Sequence, residues 1–275
     1  MKPHTLCAVY FSATGGTRTI VTTVARRLAE QLDIPVRTFD ITLPGGRAEP
    51  LHFSQEDLVL LGVPVYAGRV PNLLLPYVAS LRGGGAMGVP LVVYGNRSFD
   101  DALMELRNTM EEGGFHTIAA GAFIGEHSFS RILAGGRPDT SDRTIAKGFA
   151  DRIYHKLQAL ADLEGQEPVF VPGNHPVGPY FRPLGSDGGP IDIRRVRPLT
   201  RETCIDCLWC ARHCPMGAIS YENVRNVPGI CIKCNACVKG CPTEAKYFAD
   251  PDYLFHRDDI VAHYQSPRKE PACFL

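Results

Sequence analysis

Ten cysteines are spread unevenly along the 275 residues of this chain. Eight lie within residues 204–242. They are Cys204, Cys207, Cys210 and Cys214 followed by Pro215, then Cys231, Cys234, Cys237 and Cys241 followed by Pro242. Each run reads C-x2-C-x2-C-x3-C-P, and the second repeats the first after 27 residues, with C-P-M-G-A answered by C-P-T-E-A. Thiols at this density suit metal ligation. Two structural zinc sites would each take four ligands, usually as two separated pairs. Four thiols in eleven residues, closed by Cys-Pro and then repeated, is instead the spacing that holds [4Fe–4S] clusters. In such runs the first three cysteines serve one cluster and the fourth crosses to the other. This assigns Cys204, Cys207, Cys210 and Cys241 to one cluster, and Cys214, Cys231, Cys234 and Cys237 to the second.

A second stretch with chemical potential is Ser12-Ala13-Thr14-Gly15-Gly16-Thr17. It follows an apolar run, T-L-C-A-V-Y-F, which reads as a buried parallel strand. It precedes a helical pattern with Ile20, Val21, Val24, Ala25, Leu28, Ala29 and Leu32 on one face. A helix N-terminus presents unpaired N–H groups and the positive end of the dipole, so it suits a phosphate. Ser12, Thr14 and Thr17 add hydroxyls, and Gly15 and Gly16 let the backbone approach closely. The Gly-Lys-Ser/Thr ending of a nucleoside-triphosphate loop is missing. An ordinary strand–helix loop with a capping threonine is the plainer alternative.

These two sites need elements to hold them. Further strands are expected at 34–39, 58–63, 89–94 and 115–124, with helices at about 71–82, from about 100 to 112, and at 143–163. Alternation over residues 1–163 predicts an α/β domain with a doubly wound, five-stranded parallel sheet. Ligands bind such sheets at the carboxyl ends of the strands, where loops 12–17, 64–71 and 95–100 fall. Residues 164–199 contain seven prolines from Pro168 to Pro198 and read as a linker lying over the first domain. Tyr180 and Phe181 either pin it or are chance loop aromatics. The cysteine runs occupy a small α+β domain at 200–250. Ile205, Ile219, Val227, Ile232 and Tyr247 are expected to shield its clusters. A tail at 251–275 allows a short helix docked on either domain.

The loop from Ser12 to Thr17 resembles the FMN-phosphate loop of flavodoxins, S/T-x-T-G-x-T, at every fixed position. The cysteine runs resemble two-cluster bacterial ferredoxins. The whole chain is similar to a family found in anaerobes that fuses a flavodoxin-like domain to such a ferredoxin and is described mostly as electron carriers. The resemblance implies FMN and two [4Fe–4S] clusters as cofactors. It places Pro64, Val65, Tyr66, Ala67 and Gly68 on one side of the flavin ring and Gly95, Asn96, Arg97 and Phe99 on the other. Tyr66 could stack on the ring, and Arg97 or Arg69 could set charge near it or be a solvated loop cation. The function this implies is electron transfer between FMN, the clusters and an unidentified redox protein. The alternative is an enzyme, a flavin-dependent reductase of a small substrate supplied by the clusters. A cluster-bearing module without flavin is a third class.

Several features fall outside this scheme. Gly83-Gly84-Gly85-Ala86-Met87-Gly88 matches G-x-G-x-x-G but follows a helix and precedes a strand, so it is read as a turn without a dinucleotide. Glu126 and His127 are the only candidates for proton handling near the flavin; a polar loop bonding to itself is the other reading. Cys7 reads as a core residue and Cys273 as a tail thiol. Lys plus Arg equals Asp plus Glu at 29 each, which gives no support for nucleic acid or a membrane surface as partner. No signal peptide or spanning segment is expected, and the cysteine usage suits a reducing cytoplasm. A homodimer stays open.

Overall fold

In the computed structural model, which describes residues 2–160, 162–163 and 165–275, the apolar runs become strands. They are β1 (Thr5–Tyr10), β2 (Val36–Asp40), β3 (Asp57–Pro64) and β4 (Met87–Tyr94). The fifth position is shared by β5 (His116–Thr117) and β6 (Ala120–Ile124). All pair in parallel in the order β2-β1-β3-β4-β6, with β5 also on β4. This is the flavodoxin-like order of a doubly wound sheet. The three central strands are apolar on both faces because helices cover both. Helices α1 (Gly16–Leu32) and α4 (Thr140–Ala159) enclose one core with Leu6, Leu58, Leu91 and Phe149. Helices α2 (Leu75–Ser80) and α3 (Ala102–Glu112) enclose the other with Val9, Leu61, Leu103 and Phe115. β2 is an edge strand and mostly exposed. At Gly62 a side chain would strike Val21, so glycine in this strand is what lets α1 lie close.

The expected elements shift in informative ways. The helix expected at 71–82 shortens to α2, since residues 71–74 form a turn closed by the Leu74 amide on the Pro71 carbonyl. The strand expected at 115–124 is interrupted. The Ile118 amide still bonds Gly88, while the Thr117 carbonyl accepts from the Val169 amide, so the proline-rich segment is stitched to the sheet there. α4 starts at Thr140 because Asp139 and Asp142 form a reciprocal capping box. Its expected C-terminal reach to 163 includes residue 161, and the expected boundary at 164 is residue 164; both lie outside the described residues.

The cysteine segment has little regular structure. It contains a two-stranded ribbon of β7 (Leu199–Thr200) and β8 (Lys246–Tyr247), and single turns α5 (Trp209–Arg212) and α6 (Ala236–Lys239). Beyond it come helix α7 (Pro251–Tyr264) and strand β9 (Ala272–Phe274). β9 pairs antiparallel with β6, so the expected all-parallel five-stranded sheet gains an antiparallel edge from the tail. Cys7 is buried in β1 and Cys273 half-buried in β9, as small apolar residues. Among the described residues no helix is long and apolar enough to cross a membrane.

The tail is tied to α4 by charge. Arg268 pairs with Asp139 at 2.9 Å, and the buried Arg137 pairs with Asp142 and donates to the Lys269 carbonyl at 2.8 Å. The Arg268 guanidinium, then the Asp142 amide, hold the Asp139 carboxyl down to about 2. This contribution is present above the ordinary carboxyl range near 4 and is lost as pH falls toward 2. Asp139→Ala should remove the cap and cost about 1 kcal/mol in denaturant unfolding at pH 7, with a smaller difference from wild type at pH 3.

Candidate functional site

The loop after β1 is shaped as an anion cradle. Gly15 takes a left-handed φ of 94° and opens α1 without any side-chain cap. Ser12 is fixed at both ends: its amide donates to Thr42 Oγ1 at 2.9 Å, and its Oγ accepts from the Arg18 amide at 2.9 Å. Its O–H proton stays available to a ligand. Thr14 is exposed at the rim, whereas Thr17 is buried with its methyl group toward Gly62. The two other loops at this end of the sheet touch each other. Tyr66 and Arg69 exchange backbone hydrogen bonds of 3.0 and 3.1 Å around Ala67 and Gly68, both at positive φ. A side chain at Gly68 would strike Asp100.

Several residues expected beside the flavin have other work. Asn96 is buried. Its amide donates to the Tyr264 and Pro267 carbonyls at 2.6 and 3.1 Å, and its Oδ1 accepts from the Lys269 amide at 3.0 Å. Only its backbone is left for a ligand. Arg69 makes a bidentate pair with Glu105, bonds the Gly178 carbonyl and lies over Tyr180, so it is neither a solvated loop cation nor free to face a ring. Arg97 pairs with Asp100 and lies 4.5 Å over the Phe181 ring. Phe99 packs against Tyr94. The proline-rich segment is pinned here by its aromatics. Phe181 donates its amide to the Ala67 carbonyl, and the Tyr180 hydroxyl donates to the Val70 carbonyl, each at 2.9 Å. Asp101 accepts from the amides of Asn174 and Gly178.

The eight cysteines of the two runs line two cavities. Cys204, Cys207, Cys210 and Cys241 share one; Cys214, Cys231, Cys234 and Cys237 share the other. The fourth cysteine of each run thus lines the cavity of the other run's first three. The two halves repeat in backbone detail. Asp206 and Lys233, Leu208 and Asn235, and Gly217 and Glu244 all take left-handed φ and are paired across the repeat. These turns aim amides at sulfur: Ala218 donates to Cys214 Sγ at 3.3 Å and Ala245 to Cys241 Sγ at 3.2 Å. Such donors stabilise thiolates bound to iron and tune a cluster's potential. Burial pushes the Cys234 thiol up to about 12. Four acceptor sulfurs with inward amides around a shared cavity fit a cluster better than a single ion.

The second half of this segment faces the flavodoxin-like domain. Ile232 packs on that domain's core. Burial, then negative charge at Cys234 and Cys231, raises the Tyr66 phenol well above its ordinary value. Arg47 donates to the Ile41 and Thr42 carbonyls at 2.6 Å and reaches Pro215 O at 2.7 Å. Lys239, between Cys237 and Cys241, bonds Glu126 Oε1 at 2.6 Å and the His127 and Ser130 carbonyls at 2.7 and 3.1 Å. Burial raises the Glu126 carboxyl, but the Lys239 hydrogen bond, the Gly136 amide and the Lys239 charge together outweigh this and leave it lowered. His127 is driven down to about 3 by burial, then by Lys239, His256 and Arg97. The Phe129 amide donates to its Nδ1 at 3.1 Å, which places the proton of the neutral ring on Nε2. Glu126 and His127 therefore do not share a proton; each is fixed by its own partner. Lys239 was not singled out in the sequence, because a lysine in K-G-C-P carries no spacing signal for a partner 113 residues away.

Residues 199–220 match the family described as "4Fe-4S binding domain". A sequence comparison with curated proteins finds no match. Among solved structures, the chain is similar to a flavodoxin from the domain Archaea, at 15% identity and TM-score 0.39 over 56% of this chain and 99% of that one. It is similar to a flavodoxin from Streptococcus pneumoniae TIGR4 at 16% and 0.38, over 55% and 99%. A flavodoxin, WrbA-like protein from Agrobacterium tumefaciens gives 13% and 0.35, over 57% and 98%.

Lys239→Met should strand the Glu126 carboxylate and destabilise the protein by about 2 kcal/mol or more, since one partner of a largely buried pair is removed. Adding Glu126→Gln should recover part of the loss. Urea unfolding of the two single variants and the double variant measures this coupling.

Proposed function

We propose that this chain, a flavodoxin-like domain joined to a ferredoxin-like segment, is an electron-transfer protein that binds FMN and two [4Fe–4S] clusters and exchanges electrons with a redox protein. In this reading Ser12, Thr14, Gly15, Gly16 and Thr17 hold the FMN phosphate. The backbone of Pro64, Val65, Ala67 and Gly68 borders the ring on one side with Tyr66, and that of Gly95, Asn96 and Arg97 borders it on the other, with Phe99 behind. The two cysteine cavities hold the clusters. Flavin takes one or two electrons and a cluster one, so their pairing converts between the two regimes.

The observation that carries this reading is the seat of the second cysteine half on the flavodoxin-like domain. Ile232 packs on its core, and Lys239 bonds Glu126 and the His127 and Ser130 carbonyls after β6, at the end of the sheet where the expected flavin loops lie. The protein's part is to hold that seat still. Arg47, bonding the Pro215 carbonyl, fixes the cysteine segment at a second point on the domain that carries the expected flavin loops. Phe181 and the tail, bonded to Ala67 and Asn96, close over them. A neutral His127 and an ionised Glu126 keep the local charge constant. The first cysteine half, where Cys207 is exposed, remains open to a protein partner, which favours a carrier over a reductase with a closed pocket.

Purification without oxygen should yield about eight irons and one FMN per chain, read by iron and sulfide analysis and by absorbance. FMN absent from every preparation and impossible to add back would refute the flavin assignment. Cys207→Ser should remove or convert one cluster while FMN stays bound; parallel loss of flavin would contradict separate sites. Thr14→Leu should weaken FMN binding at least severalfold with iron near wild type.

A further inference from the structure

The internal repeat turns a contact seen in one half into an expectation for the other. Shifted by 27 residues, Ile232, Cys234 and Lys239 become Ile205, Cys207 and Arg212. The matched left-handed positions and matched amide-to-sulfur bonds show that the backbone follows the same path in both halves. In the second half this face is covered. Ile232 packs on the flavodoxin-like core, Cys234 is buried, and Lys239 takes a carboxylate and two carbonyls. In the first half the corresponding face is bare: Ile205 is 65% exposed, and Cys207 and Arg212 are exposed. Ile205, expected to shield a cluster, lines the cavity of Cys204, Cys207, Cys210 and Cys241 but leaves most of its own surface bare, whereas Ile219 and Val227 pack into the small core.

We infer that the face formed by Ile205, Cys207 and Arg212 docks a small acidic one-electron carrier protein, in the way the face of Ile232, Cys234 and Lys239 docks the flavodoxin-like domain. This rests on the electron-transfer reading above. The partner's chemistry follows from the covered twin. Lys239 selects a carboxylate, Glu126, beside an apolar contact. Arg212 is its counterpart and offers a planar fork suited to carboxylates. Asp206 and Glu202 beside this face share one cation, Arg225, at 3.5 and 3.6 Å, and Arg212 is paired with neither. An exposed isoleucine beside a thiolate site gives the dry contact, and Arg212 meets a carboxylate of the partner. Each encounter moves one electron: the carrier is oxidised as this protein is reduced, with no bond made or broken. The order of sites is then carrier, first cysteine half, second cysteine half, flavin loops.

The test uses the whole cofactor-loaded protein and, as probe, a purified acidic bacterial two-[4Fe–4S] ferredoxin. Its Kd in the oxidised form is read by calorimetry, and the second-order rate at which its reduced form reduces this protein is read by stopped flow. Arg212→Glu and Ile205→Asp should each weaken binding and slow the reaction about tenfold or more at low salt, with the Arg212→Glu effect fading as salt rises. Reduction by dithionite should match wild type. Both variants reacting like wild type would overturn the inference, as would a wild-type protein, shown to hold iron and flavin, that neither binds nor accepts electrons from the probe. Iron and flavin counts on the same preparations tell this apart from failure of the electron-transfer reading itself.

Discussion

The cysteine segment has almost no apolar interior of its own. Its buried cluster consists of Cys210, Ala211, Ile219, Val224 and Cys237, two of which are thiols lining the cavities. A unit so thinly packed cannot set its own orientation by hydrophobic burial. Its placement is imposed by a few directed contacts. A largely buried ammonium at Lys239 satisfies three acceptors on the loop after β6, and an arginine at 47 bonds the carbonyl next to Cys214. Charges taken out of water are costly unless fully partnered. That requirement makes such contacts specific in position, so they fix the cysteine cavities relative to the loops at the carboxyl end of the sheet.

Around that boundary the remaining parts of the chain act as fasteners. The proline-rich segment bonds Thr117, Asp101, Val70 and Ala67 in turn, so it crosses the flavodoxin-like domain as a fixed strap. Helix α7 inserts Tyr253 against Phe129 and Phe248, and its hydroxyl bonds Asn235. It therefore docks on both bodies at once, where the sequence left the choice open. Asn96 then holds the end of α7 and the start of the tail.

What could be read from the sequence were features with a period or a spacing. Apolar runs at 58–63 and 89–94 announced central strands, since burial on both faces leaves no alternation. The hydroxyl and glycine pattern at 12–17 and the cysteine intervals needed no structure to be noticed. What could not be read were contacts between single residues far apart. β9 is three residues, A-C-F, with too little length to show any period. Asn96 looked like a loop residue because its partners are backbone carbonyls beyond residue 260, and carbonyls leave no trace in side-chain types. Arg69 looked solvated because Glu105 lies on the far side of a loop and inside a helix.

The antiparallel edge made by β9 bears on how the protein is assembled in a cell. β6 and β9 are neighbours in space, yet the entire cysteine segment lies between them in the chain. During synthesis the flavodoxin-like sheet emerges first and must wait with β6 unpaired on its outer side, a template for wrong strand pairing. It is closed only after both cysteine runs have been made. The last fastening step thus follows the appearance of all eight closely spaced cysteines, so whatever they bind can enter before the sheet is sealed.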